Sequence, residues 1–95
     1  MSVILNTRNA TFRTALLGLF EDSAPAASKH VSQRARVETP LQLSGYEIPK
    51  GTLVFKNHKD ELTTHVPRKN GPGLLSVVVS VDDSVIVRDN KRSGH

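Results

Sequence analysis

The 95-residue chain is predicted to be mainly β, a small antiparallel β-sandwich or barrel with one N-terminal amphipathic helix and extended polar arms. Three features predict it. Five or six short runs alternate apolar with polar residues, as half-buried strands do. Turn-forming residues separate them roughly every 8 to 12 positions. One segment alone, near the N-terminus, carries a helical period. The length fits a single domain. Val, Ile, Leu and Phe number 27 of 95, above the roughly 20% below which chains stay disordered. With no cysteine, disulfides, zinc–thiolate sites and thiolate nucleophiles are excluded, so packing or partner subunits must hold the domain together.

Residues 1–22 read as a strand or arm over 2–6 and a helix that packs on the core. Phe12, Ala15, Leu16, Leu19 and Phe20 follow the i, i+3, i+4, i+7, i+8 series of one helix face. Asn9 is placed to cap it. Gly18 and the acidic pair Glu21-Asp22 weaken its C-terminal end. Residues 23–34 (SAPAASKHVSQR) have the small and polar composition of a linker or extended arm.

The β domain is expected over residues 35–89. Ala35, Val37, Leu41 and Leu43 share one face of a first strand, and Pro40 marks an edge or bulge. Ser44-Gly45 turns the chain into a strand holding Tyr46 and Ile48. Ile48-Pro49-Lys50-Gly51 fits a type I turn with proline second. Residues 52–56 follow with Leu53 and Phe55 expected inward, then a polar turn and a strand over 62–66 that Pro67 ends. After the turn RKNGPG come LLSVVVSV (74–81) and SVIVR (84–88), a hairpin joined at Asp82-Asp83. Residues 90–95 form a basic tail.

No pattern of catalysis or metal binding emerges, so no catalytic residue, metal ligand or cofactor is assigned and no small-molecule substrate is evident. The histidines at 30, 58, 65 and 95 lack HxH or HExxH spacing. No GxSxG elbow occurs. The acidic pairs are adjacent in sequence and fall at a helix end or in turns, whereas acid–base pairs face one another across a cleft. RKNGPGLL lacks the Walker order of glycine, lysine and helix. The chain contains no apolar run near the roughly 18 residues of a membrane span and no secretory leader pattern. Membrane insertion is therefore not expected, and the expected setting is cytoplasmic synthesis without secretion, with a virion as one destination.

The net charge of +4 is unevenly spread: residues 1–36 carry five basic and two acidic side chains, residues 37–89 six and seven, and residues 90–95 two basic ones. The sequence thus describes a nearly neutral sheet with basic extremities. The uncharged strand 74–81 is an association hazard if exposed. These features favour a non-enzymatic structural subunit of a homo-oligomer or larger symmetric assembly, a virus or phage particle being one instance. Leu74, Val77, Val79, Val81, Val85 and Val87 are its expected interface. An alternative is a module that contacts nucleic-acid phosphates through Lys29, Arg34, Arg36, Lys91 and Arg92. Another is a small regulator that docks its helix on a partner protein.

Overall fold

The computed structural model describes residues 2–21, 32–69 and 71–89. It is mainly β, with eight antiparallel strands and one short helix. In chain order these are β1 (Ser2–Arg8), α1 (Ala10–Gly18), β2 (Gln33–Arg36), β3 (Leu41–Leu43), β4 (Tyr46–Ile48), β5 (Leu53–Lys56), β6 (Leu62–Pro67), β7 (Leu74–Val79) and β8 (Ser84–Asp89). Six strands form one open sheet in the order β1-β8-β7-β6-β5-β2, and β3-β4 form a separate hairpin. The arrangement is sandwich-like and does not close into a barrel.

The large sheet buries one face. Val54, Leu62, Val66, Leu75, Val77, Val79, Val85 and Val87 point into the core, against Leu43 and Ile48 of the small hairpin and Phe12, Leu16 and Phe20 of the helical segment. Asn9 caps α1 as its position suggests, its side-chain oxygen accepting from the Phe12 N–H at 2.9 Å. The Asn9 N–H donates to the Asp83 carbonyl, and Arg13 lies 3.7 Å from the Asp83 carboxylate. The helix start is thereby tied to the β7–β8 turn.

Three expectations about the strands change. The strand placed over 35–43 is divided, because Pro40 has no N–H to give to a ladder, and the chain bends at residues 38 and 39. β2 belongs to the large sheet and β3 to the hairpin, so this segment is the corner where the chain changes layers. Gln33 and Arg34, assigned to a linker, are ladder residues of β2. In β5 the phase is inverted: Val54 is fully buried, while Leu53 and Phe55 are half-buried on the opposite face. Three consecutive apolar residues satisfy either phase, and pairing decides between them. Ala35 lies opposite Val54, and Arg34 opposite Phe55, so burying Phe55 would bury Arg34 as well.

The turns explain the registers. Ser44 (φ 40°) and Gly45 (φ 91°) form the two-residue loop between the paired Leu43 and Tyr46, the positive-φ turn that suits a right-twisted hairpin. The turn before β5 is shifted by one residue from expectation. The Thr52 N–H bonds the Pro49 carbonyl, with Gly51 third at φ 90°. The β5–β6 and β7–β8 loops share one construction. Asp60 donates to the Asn57 carbonyl and Asp83 to the Ser80 carbonyl, while Asn57 and Ser80 donate to the carbonyls of Glu61 and Ser84. Each aspartate adopts positive φ, 63° and 70°, as a three-residue loop with a bulge requires.

Candidate functional site

Strand alternation leaves the large sheet with a second face that, among the described residues, neither the helix nor the hairpin covers. One transverse row follows from the registers as Arg34–Phe55–Thr63–Val78–Ile86–Asn6, and a second as Val3–Arg88–Ser76–His65. Arg36 opposite Leu53 and Arg8 opposite Ser84 lie on the same face. Its centre is half-buried and partly apolar, with Leu53, Phe55, Val78 and Ile86 interleaved with Thr63, His65 and Ser76.

The charge on this face has one sign. Four arginines occupy it, and among the described residues no aspartate or glutamate takes an outward position on the large sheet. Asp89, the acid within β8, lies opposite Leu75 on the buried side and pairs with Arg68, which raises the Arg68 pKa through that hydrogen bond. The other described acids lie in loops, in the small hairpin or after the helix. Asp82 accepts from the Ser84 N–H at 3.1 Å. That bond and the Ser84 hydroxyl hold its carboxyl below the ordinary 3.8, with a smaller contribution from Arg8. Arg8 is thus partly compensated. Arg34, Arg36 and Arg88 form no ion pair among the described residues.

One end of the face is concave. A groove of about 460 Å³ is lined by Pro49, Leu53, Phe55, His65, Pro67 and Leu74 among others. Arg36 donates to the Gly51 carbonyl at 3.0 Å, which holds its guanidinium beside the turn forming one wall. Among the described residues His65 is the one titratable group lining the groove, and no acid–base pair is formed there by them. Among the described residues no three His, Asp or Glu side chains gather as a metal site. No described helix is long and apolar enough to cross a membrane.

Four of the six residues anticipated as an interface lie in the core. Val77, Val79, Val85 and Val87 are fully buried in the chain's own core and offer a second subunit no surface. Neighbouring strands cover the uncharged β7 on both sides. Leu74 is 53% exposed, and Val81, beyond the end of β7 in the turn, is 57% exposed. Of the anticipated phosphate contacts, Arg34 and Arg36 stand together on β2, whereas Lys29, Lys91 and Arg92 fall outside the described residues. Phe12, Leu16 and Phe20 are buried, so the helix has no apolar face left for docking on a partner.

Two features escaped sequence reasoning. Phe55 is an outer-face aromatic beside Arg34, detectable from the ambiguous apolar run 53–55. The second is the contrast between the sheet's two edges. β2 is four residues long with two arginines, while β1 is seven residues long, uncharged up to Arg8, with Val3 53% and Ile4 45% exposed.

No family model, curated protein or solved structure matches this chain.

Proposed function

We propose that the chain is a non-enzymatic assembly subunit that joins a second copy of itself along the free edge of β1. The observation that carries this reading is the β1 edge, seven residues long and uncharged before Arg8, with Val3 and Ile4 exposed. A long edge strand with exposed apolar side chains is a template for pairing with another chain unless charge, proline, shortness or a bulge blunts it. β2 is blunted by charge and shortness. β1 carries one such device, a register shift between Val3 and Leu5, but it pairs in continuous register from Leu5 to Arg8 and keeps Val3 and Ile4 at the surface.

A two-fold axis perpendicular to the sheet would pair β1 with its antiparallel copy and make one continuous sheet from two six-stranded halves. Such an isologous contact is self-complementary and closed. It buries Val3 and Ile4 of both copies and keeps both uncovered faces on one side. A shell such as a virus particle is one assembly that could be built from such pairs.

Light scattering after size-exclusion chromatography at micromolar concentration tests the reading. The wild-type chain is expected as a dimer or larger species, and V3K/I4K as a monomer of unchanged circular dichroism. A monomeric wild type, or an oligomer that V3K/I4K leaves intact, would overturn it.

A further inference from the structure

We propose that the uncovered face of the six-stranded sheet binds single-stranded nucleic acid, with phosphates on Arg34, Arg36 and Arg88 and a base seated against Phe55 in the groove. This site differs from the β1 edge and lies within one copy of the chain.

The argument begins with sign. Among the described residues the acids lie in loops, in the small hairpin, after the helix or on the buried side of the sheet, and one face carries cations alone. A second copy laid face to face would oppose arginine with arginine, so charge complementarity favours an anionic partner over a second copy here. Its cations are all arginines, whose planar fork binds phosphate oxygens in pairs. They also span the sheet. From β2 to β8 is four strand steps, roughly 19 Å at about 4.8 Å per step, a distance suited to a linear polyanion.

The groove narrows the class. Its lining is mainly proline, leucine and phenylalanine, with Thr52 and His65 as the polar members, and it suits the flat apolar surface of a base better than a phosphate. Arg34 is directly opposite Phe55, and Arg36 opposite Leu53. An apolar slot thus adjoins two guanidinium groups, as phosphate-tracking and base-stacking sites do. A duplex keeps its bases in the stack, so a single strand fits this slot.

Fluorescence anisotropy of the full chain with a labelled oligouridylate of about 15 nucleotides, within the usual range of single-strand sites, tests the proposal. Three phosphate contacts predict a slope of log affinity against log salt of about −2. R34A/R36A/R88A should lose more than tenfold in affinity at low salt and most of that slope, with circular dichroism unchanged. F55L, which keeps the apolar contact and removes the ring, should weaken oligouridylate about tenfold and leave inorganic polyphosphate unaffected. K29A/K91A/R92A should retain binding.

Four results would overturn the proposal. They are no binding at low salt, wild-type affinity in R34A/R36A/R88A, loss of binding in K29A/K91A/R92A alone, or polyglutamate of equal charge competing as well as oligouridylate. The last would reassign the face to an acidic protein. Equal loss of both ligands in F55L would remove the base from the groove.

Discussion

The two faces of the large sheet can be separated by one chemical change made in both places. Valine and threonine have nearly the same shape, so Val→Thr replaces a methyl by a hydroxyl without opening a cavity. Val54 and Val77 are fully buried, while Val78, the neighbour of Val77, is half-buried on the uncovered face. A hydroxyl moved from water into the core without a full partner costs about 1–3 kcal/mol. Thr64 shows the exception that sets the low end: it is fully buried, but its hydroxyl donates to the Leu53 carbonyl at 2.9 Å. V54T and V77T should therefore each cost about 2 kcal/mol, lowering the melting temperature by roughly 8–16 °C in a domain of this size. V78T should cost less than about 0.5 kcal/mol, because its hydroxyl reaches solvent. Urea unfolding followed by far-UV circular dichroism, with the m-value unchanged, is the assay. A neutral V54T would refute the phase assigned to β5. Equal costs for V77T and V78T would refute the division of the sheet into covered and uncovered faces.

Other consequences follow from the turns. The Asn57 side chain accepts from the N–H groups of Lys59 and Glu61 at 2.9 and 3.0 Å and donates to the Glu61 carboxylate at 2.8 Å. N57A should cost about 2 kcal/mol in the same urea experiment. G45A places a side chain at φ 91° and should cost about 1–2 kcal/mol, most of it strain. The Cβ would otherwise meet only the Lys69 ammonium, 2.9 Å away at the end of a flexible chain. S44N, which supplies the residue preferred at this positive-φ turn position, should raise stability slightly. Asp82 has a folded pKa below its ordinary 3.8, so its contribution is present above that value and is lost as pH falls through the folded pKa. Wild type should thus lose stability relative to D82N below about pH 4, and parallel stability–pH curves for the two would contradict the Ser84–Asp82 bonds.

Where one pattern dominated, the residues alone were readable. The helix from Asn9 onward has a single apolar face and a single cap, and the strands around Leu62–Val66, Leu74–Val79 and Val85–Val87 alternate or are β-branched throughout, so element type followed directly. Leu53-Val54-Phe55 was not readable because both faces of β5 are apolar. Its phase is set by pairing with Arg34 and Arg36, 21 and 17 residues before their partners Phe55 and Leu53, a pairing that local periodicity does not contain. The same cause hid the candidate site. Net charge by segment made the β body look neutral, because the sum over residues 37–89 leaves out Arg8, Arg34 and Arg36, which strand pairing returns to the sheet on the same face as Arg88, and because turns hold most of the acids. The valines expected at an interface on β7 and β8 are core residues for a related reason. An uncharged strand is hazardous at an edge, but β7 is interior, and the exposed edge belongs to β1.

The most direct test of the assembly reading is the native mass of the purified, nuclease-treated chain across a dilution series into the low micromolar range. Pairing along β1 predicts a mass of at least twice the 10.4 kDa of one chain, falling to a single chain's mass only on dilution. A mass of one chain throughout the series would contradict it.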